Sequence, residues 1–262
     1  MHEHIYIKRW FLNNPLRNYN YLIVNPENKH CLIVDPTMVE HYTQYIDQHQ
    51  LIPEAILLTH HHTDHIAGVD KLVERYNCPS YGNFDHTRKG QITHKVQNHE
   101  KLHFQTVSEI EVIFSPGHIS SHVCFYLPKE KALFCGDTIF TAGIGHVNDP
   151  SADIDVFYQS IQYLKTLPGD TKLYTAHDYF EKNLSFAMSI DPDNANYRKW
   201  HDKVKGVLAE DKPVTSIQDE HEMNIFFHAD SSALKNRLSE KQKHLTSSEA
   251  VFCYLRAQKD VF

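Results

Sequence analysis

Four histidines and one aspartate lie within seven residues, in the run Thr59-His60-His61-His62-Thr63-Asp64-His65. The apolar stretch Ala55-Ile56-Leu57-Leu58 comes directly before this run and predicts a buried strand. On extended chain, two histidines separated by one residue point their rings to the same side. Imidazole nitrogens and carboxylate oxygens are ligands that Zn²⁺ accepts. The run therefore predicts a metal site at the end of a strand, and we favour this over a solvated histidine patch.

Three later apolar segments also end in a short turn that carries a ligand-type residue. These turns place His118, Asp137 and His177 directly after strands predicted at 109–114, 132–136 and 171–175. A single His or Asp after a strand is more often a turn residue or a helix cap. The four segments together, however, provide enough ligands for two ions.

The seven candidate ligands divide into two sets that share one carboxylate. One ion would be held by His60, His62, His118 and Asp137. The other would be held by Asp64, His65, Asp137 and His177, with Asp137 and a water or hydroxide bridging the pair. A site that keeps one solvent position open is typical of catalysis rather than of structural metal binding.

The order of the ligands, H-x-H-x-D-H, then His118, then Gly136-Asp137, then His177, resembles that of the metallo-β-lactamase superfamily. Within that superfamily the chain is most similar to glyoxalase II, the hydroxyacylglutathione hydrolases. The narrower resemblance rests on seven further segments: Cys31–Pro36, Pro53–Thr59, Leu133–Phe140, Ala176–Tyr179, Tyr197–Lys199, Asn224–Phe227 and Tyr254–Asp260. It therefore covers essentially the whole chain, and the C-terminal segments select this family.

The predicted elements fit that resemblance. Strands are expected near 21–24, 31–35, 55–59, 109–114, 122–127, 132–136 and 171–175, and helices near 38–50, 68–76, 153–167 and 181–190. Interleaved strands and helices indicate an α/β architecture. The resemblance implies a four-layer αβ/βα sandwich with the metals at one edge. After Asp191-Pro192-Asp193 the sequence becomes rich in charged residues, Lys and Glu in particular, and its residues have helical spacing. We therefore expect a catalytic domain over 1–190 and a helical subdomain over 191–262 that helps to cover the active site.

The resemblance implies metal-assisted hydrolysis of a thioester, S-D-lactoylglutathione, to D-lactate and glutathione. Two divalent ions would lower the pKa of water and polarise the substrate carbonyl. Asp64 is expected to orient the attacking hydroxide while binding metal. Zinc is the first candidate, although nitrogen and oxygen ligands of this kind also accept iron or manganese.

The sequence departs from the family at the residues that contact glutathione. Where the family usually has basic residues, this chain has His146 and His228, whereas Tyr179 is retained after the last histidine ligand. Gly-Gly after the motif is replaced by Ala67-Gly68. Imidazoles are mostly uncharged at neutral pH and hold a carboxylate less firmly than a guanidinium does. We therefore expect weaker or pH-dependent glutathione binding. The candidate substrate contacts are Tyr179, His146 and His228.

Composition narrows the partners and the compartment. The net charge of −7, from 26 basic and 33 acidic residues, argues against a nucleic-acid partner. The N-terminal residues lack a secretory pattern, and the sequence contains no apolar run long enough to cross a membrane. Five cysteines without C-x-x-C spacing fit a reducing compartment, with Cys31, Cys124 and Cys135 as core residues. We expect a cytoplasmic monomer acting on a small-molecule thioester.

Three alternatives to this function stay open at the level of sequence. A persulfide dioxygenase would use the same strand-end ligands with one iron, and its metal content would separate it. A lactonase or another ester hydrolase would keep both metals and ignore thioesters. A binding protein on an inactive scaffold would usually have lost ligands, whereas this chain has all seven.

Overall fold

The computed structural model describes residues 5–85, 92–239, 242 and 245–262. It contains two compact units, one formed by residues 1–114 and 121–136 and the other by residues 115–120 and 137–262. The expected division between residues 190 and 191 is a different one, and it stays a prediction.

The first unit contains a six-stranded sheet in sequential order from β1 to β6. The strands are β1 (Tyr6–Phe11), β2 (Tyr19–Val24), β3 (His30–Val34), β4 (Ile52–Leu57), β5 (Ser80–Gly82) and β6 (His94–Lys95). The first three strands pair in antiparallel fashion, and the pairs from β3 to β6 are parallel. Every residue of β2 is buried, as is every residue of β3 after His30. The apolar runs therefore build the centre of the sheet.

Parallel pairing of β3 with β4 brings the C-terminal ends of these two strands to the same edge of that sheet. The helix α1 (Val39–His49) makes the crossover between these strands. Val34 is paired with Leu57, so Asp35 and the residues that follow Leu57 emerge side by side. The short helices α2 (Thr63–Ile66) and α3 (Val69–Tyr76) continue from this edge. Strand pairing thus places the histidine-rich run beside Asp35.

The first unit also contains four antiparallel strands in the order β10-β9-β8-β7. They are β7 (Lys101–Leu102), β8 (Ile110–Phe114), β9 (Val123–Leu127) and β10 (Ala132–Gly136). All residues of β9 and β10 are buried. Cys31, Cys124 and Cys135 have no measurable exposure, which confirms them as core residues.

The second unit is mostly helical. Its strands are β11 (Ile139–Phe140), β12 (Gly143–Ile144) and β13 (Lys172–Thr175), and its helices are α4 (Ile154–Leu164), α5 (Phe180–Ile190), α6 (Ala195–Val204), α7 (Ile217–Met223), α8 (Ser232–Ser239) and α9 (Ser248–Asp260). Single 3₁₀ turns occur at Ala209–Asp211 and Phe227–Asp230. None of the helices in the described part of the chain is long and apolar enough to cross a membrane.

Local signals fix where these helices begin. The Asp153 carboxylate accepts hydrogen bonds from the amides of Asp155 and Val156 at the start of α4. A capping box between Ser216 and Asp219 opens α7. Such side chains satisfy amides that have no partner within the helix.

The predicted elements agree with the structure to within a few residues, with three kinds of exception. The motif strand is displaced towards the N-terminus, because β4 ends at Leu57 and not at Thr59. The predicted helix 153–167 ends at Leu164. The short strands β5, β6, β7, β11 and β12 are absent from the prediction, since segments of two or three residues carry no periodic pattern. The edge strand β1 is also absent from it, and none of its six residues is buried.

Gly117, which immediately precedes His118, has a backbone conformation that favours glycine. Its φ is +137°, and a Cβ added there would lie 2.2 Å from the Cβ of Phe157 on α4. We expect Gly117→Ala to lower the free energy of unfolding by at least about 2 kcal/mol, through overpacking and strain. Gly206→Ala is the matched control, because its φ is +71° but no atom lies within 4 Å of an added Cβ. Equal shifts of the denaturation midpoint in the two variants would contradict the packing explanation.

Candidate metal centre

The histidine-rich run leaves β4 and places its rings close together. His60 is fully buried, and its Nε2 lies 3.0 Å from Nδ1 of the half-buried His62. The ring centroids of His60 and His65 are 4.0 Å apart. His65 lies within α2, and its Nε2 is 3.4 Å from Oδ2 of Asp64. The fourth histidine, His61, packs against Phe84 instead.

Asp35 fixes the orientation of two of these rings. Its carboxylate accepts the Thr59 amide at 2.8 Å, the Thr59 hydroxyl at 2.7 Å and Nδ1–H of His65 at 2.9 Å. The Thr59 hydroxyl lies 3.1 Å from Nδ1 of His60, from which it accepts. Because both Nδ1 atoms carry the ring proton and donate it, the Nε2 atoms of His60 and His65 are unprotonated. An unprotonated ring nitrogen is the form that binds a metal.

Asp64 is held from two directions. The Asn18 amide donates to its Oδ2 at 2.8 Å, and the Thr37 hydroxyl donates to its backbone carbonyl. Asn18 is itself buried and joined to Asn14. The carboxylate therefore has a fixed direction in advance of any ligand.

The remaining three candidate ligands meet at Asp137. Its Oδ2 lies 3.5 Å from Nε2 of His118, and its Oδ1 lies 3.1 Å from Nε2 of His177. All three side chains are at least nine-tenths buried. Nδ1–H of His118 donates to the backbone carbonyl of His146 at 2.7 Å, which again leaves Nε2 to bind a metal. The two oxygens of Asp137 face different histidines, as a bridging carboxylate requires.

Two groups of described residues each have potential ligand atoms within 4.8 Å of one another. One comprises His60, His62, His118 and Asp137, and the other Asp64, His65 and His177. Nitrogen and oxygen ligands at about 2.0–2.1 Å in tetrahedral geometry stand about 3.3 Å apart. The observed separations of 3.0 to 3.5 Å within these groups fit that value. Buried imidazoles and carboxylates at this spacing suit divalent cations.

The three predicted substrate contacts, Tyr179, His146 and His228, differ from one another in their surroundings. Tyr179 stacks on His177, with centroids 5.2 Å apart and planes 5° apart. His146 is exposed. His228 lies within two hydrogen bonds, its Nδ1 2.6 Å from the Tyr197 hydroxyl and its Nε2 2.7 Å from the carbonyl of His221. Burial lowers the pKa of His228, so this imidazole is neutral at pH 7.

Sequence reasoning missed three polar residues around the histidine-rich run. Asp35 was noted only within a family segment, and Thr59 only as the first residue of the run. His122 is fully buried and stacks on His60 with centroids 4.9 Å apart. The signal available for Asp35 was its place as the last residue of the strand predicted at 31–35, close to the signal that identified Asp137 after the strand predicted at 132–136.

Comparison with known families places the chain in a class. Residues 14–177 match the model of the metallo-β-lactamase superfamily, and residues 178–262 match the model described as the hydroxyacylglutathione hydrolase C-terminus. The structure is similar to the B3 metallo-β-lactamase BLEG-1, with a TM-score of 0.64 and 24% identity over 84% of this chain and 99% of the other. It is also similar to ETHE1 from Myxococcus xanthus, with a TM-score of 0.68 and 21% identity over 96% and 98%. The fold is thus the metallo-β-lactamase fold, with a helical C-terminal region.

Sequence relatives narrow the class to one family. The chain is 42% identical to a hydroxyacylglutathione hydrolase of Francisella philomiragia, over 85% of this chain and 87% of the relative. It is 43% identical to one of Francisella tularensis subsp. novicida over the same shares. The chain belongs to the hydroxyacylglutathione hydrolase family of metal-dependent hydrolases. The fold together with the His/Asp clusters implies two divalent cations.

The Asp35 network predicts a loss of metal affinity on substitution. Asp35→Asn removes the charge that holds Nδ1–H of His65 and orders the Thr59 hydroxyl. Loss of such an outer partner typically lowers metal affinity 10- to 100-fold. We expect a fall of that size, measured by competition for Zn²⁺ with a colorimetric chelator. Asp47→Asn is the control, because Asp47 is a half-exposed partner of Arg75. Wild-type zinc affinity in Asp35→Asn would rule out the orienting role.

Proposed function

We propose that this chain hydrolyses S-D-lactoylglutathione to D-lactate and glutathione at two divalent cations. The observation that carries the proposal is the match of residues 178–262 to the hydroxyacylglutathione hydrolase C-terminus, in a chain with all seven candidate ligands. Lactamase-type relatives share the metal fold, whereas the C-terminal match selects this family.

The proposed ligands are His60, His62, His118 and Asp137 for one ion and Asp64, His65, Asp137 and His177 for the other. Zinc is the proposed metal, with iron or manganese as alternatives. Support for iron comes from a solved structure of TTHA1623 in a di-iron-bound form, 27% identical over 65% of this chain and 91% of the other, with a TM-score of 0.57. Two bound cations would supply an activated water and a polarised carbonyl.

The chain's own residues would position the reactants. Asp64, held by Asn18 and Thr37, would bind metal and orient the attacking hydroxide towards the thioester carbon. The Nδ1–H donors of His60, His65 and His118 are fixed by neighbouring oxygens, so these rings need no reorganisation during the reaction. A thiolate leaves without protonation by a dedicated acid, which explains why the site needs none.

Recognition of glutathione would differ from that in relatives with basic contacts. Tyr179 is proposed to contact the glutathione moiety, since its ring is fixed by stacking on His177. His146 and His228 are the residues proposed to lie at the glycyl carboxylate, with His228 as a ring whose two nitrogens already bind Tyr197 and the carbonyl of His221. The lowered pKa of His228 means that it becomes charged only below the ordinary value for histidine.

The same proposal includes the setting of the enzyme. A cytoplasmic monomer without nucleic-acid or membrane partners would fit the net charge of −7 and the five cysteines without C-x-x-C spacing. The division into a catalytic domain over 1–190 and a substrate-covering subdomain over 191–262 is also proposed. It is supported by the turn at Asp191 and Pro192 that ends α5.

Hydrolysis of S-D-lactoylglutathione by the purified protein tests the activity directly. We expect loss of the thioester absorbance at 10⁴ M⁻¹ s⁻¹ or more in kcat/KM, on the order of ordinary enzymes. Chelator treatment should abolish it, and added Zn²⁺ should restore it. The metal content of the same preparation should be two ions per chain. A protein that cleaves only lactones, or that binds one iron and consumes oxygen, would contradict the proposal.

Replacing the exposed imidazole by an ammonium tests the proposed glutathione contact. His146→Lys should lower KM for S-D-lactoylglutathione about two- to fivefold, as an exposed ion pair of up to about 1 kcal/mol implies. The same thioester with an amidated glycyl carboxylate is the matched substrate and should show no change. His103→Lys adds an exposed charge elsewhere and serves as the control variant. An equal KM for both substrates in His146→Lys would show that this residue does not contact the carboxylate.

A further inference from the structure

The backbone from Thr141 to His146, called here the 141–146 segment, touches two candidate metal ligands. The carbonyl of His146 accepts Nδ1–H of His118 at 2.7 Å. Gly145 lies against Asp137 so closely that an added Cβ would be 2.0 Å from the Asp137 carbonyl oxygen. The amide of Gly145 donates to the carbonyl of Thr138 at 3.4 Å. The position of this segment therefore sets the direction of the His118 ring.

A buried arginine from the last helix is joined to this segment. Arg256 on α9 is 5% exposed, and its Nη1 donates to the carbonyls of Ile144 at 3.2 Å and Gly145 at 3.1 Å. Its Nη2 donates to Asp260 at 2.8 Å, one helical turn away. Both acceptor residues are buried, so water does not replace a missing donor there without rearrangement.

Other side chains of the C-terminal half hold the earlier part of the segment. Asn183 on α5 donates to the carbonyl of Thr141 at 3.0 Å. Glu220 on α7 accepts the amide of Ala142 at 2.8 Å, and Asn224 donates to the carbonyl of Gly143 at 3.0 Å. Arg256 holds the two carbonyls that directly precede His146. Of the carbonyls held in this way, these two lie nearest in sequence to the His146 carbonyl, which orients His118.

We propose that Arg256 is a positioning residue for the metal centre, acting through the carbonyls of Ile144 and Gly145 on the bond between His146 and His118. The proposal rests on the proposed role of His118 as a ligand. A buried ion pair is weak evidence for a stabilising role, since apolar residues of similar volume often serve as well. The carbonyl contacts give this guanidinium a second role. Without them the segment shifts, and His118 loses the acceptor that directs its Nε2.

Zinc affinity of the metal-free protein, measured apart from activity, tests the proposal. We expect Arg256→Met to lower the affinity for Zn²⁺ about tenfold or more in competition with a colorimetric chelator, comparable with loss of an outer-shell partner. The zinc affinity of Arg256→Lys should lie between those of the wild type and Arg256→Met, because one ammonium reaches fewer acceptors than the guanidinium fork. Cobalt-loaded protein should show a changed visible absorption band in Arg256→Met.

A neighbouring substitution separates positioning from general loss of stability. Leu255 is fully buried on the same helix, and Leu255→Ala should lower the Tm of the metal-free protein while leaving zinc affinity within about twofold of wild type. If Arg256→Met and Leu255→Ala lose affinity equally at equal loss of Tm, the role of Arg256 is structural and the proposal fails. If Arg256→Met does not fold, wild-type zinc affinity in Arg256→Lys with an unchanged cobalt spectrum overturns it.

The wild-type protein distinguishes this proposal from the proposed function. Wild-type protein that binds two zinc ions and hydrolyses S-D-lactoylglutathione supports the function, whatever the Arg256 variants do. If such a wild-type protein and Arg256→Met have the same zinc affinity, only the positioning role of Arg256 is overturned. Wild-type protein that binds no zinc overturns both.

Discussion

The carboxylate of Asp35 is the contact on which the histidine-rich half of the metal centre depends. It lies at the end of β3, in a left-handed backbone conformation with φ of 44°, and accepts three hydrogen bonds. A non-glycine residue in that conformation is strained unless its surroundings compensate. Here the buried donors from Thr59 and His65 provide the compensation. The same contacts fix two imidazole tautomers and join the ends of two parallel strands.

Close backbone packing plays the corresponding role around His118 and Asp137. Gly117 and Gly145 leave no room for a Cβ, the first against Phe157 and the second against Asp137 itself. A protein interior packed at this density transmits small displacements rather than absorbing them. The direction of His118 is thus determined by backbone that the C-terminal helices hold in place. This is a physical reason for a metal-binding fold and a helical C-terminal region to occur in one chain.

The sequence predicted the candidate ligands because each ligand segment follows a recognisable apolar strand. These strands belong to two sheets, β4 to the six-stranded sheet and β8 and β10 to the second. His60 and Asp137 could be read in this way from pattern alone. The orienting residues could not. Asp35 looks like an ordinary turn residue, and Arg256 lies in a charged helix where a solvated side chain is the usual expectation. Their roles depend on partners 24 to 112 residues away, which local periodicity does not contain.

The same distinction applies to substrate recognition. His228 could be identified from sequence as an imidazole in place of a basic residue, but its environment could not. The structure gives both of its nitrogens a partner and lowers its pKa by burial, so it acts as a neutral ring attached to Tyr197. His146 differs, since its side chain is exposed while its carbonyl orients His118. The ring of His146 also contacts the ring of His118, with centroids 4.6 Å apart. A change of that side chain therefore acts beside a candidate metal ligand, although the carbonyl that orients His118 belongs to the backbone and stays in place.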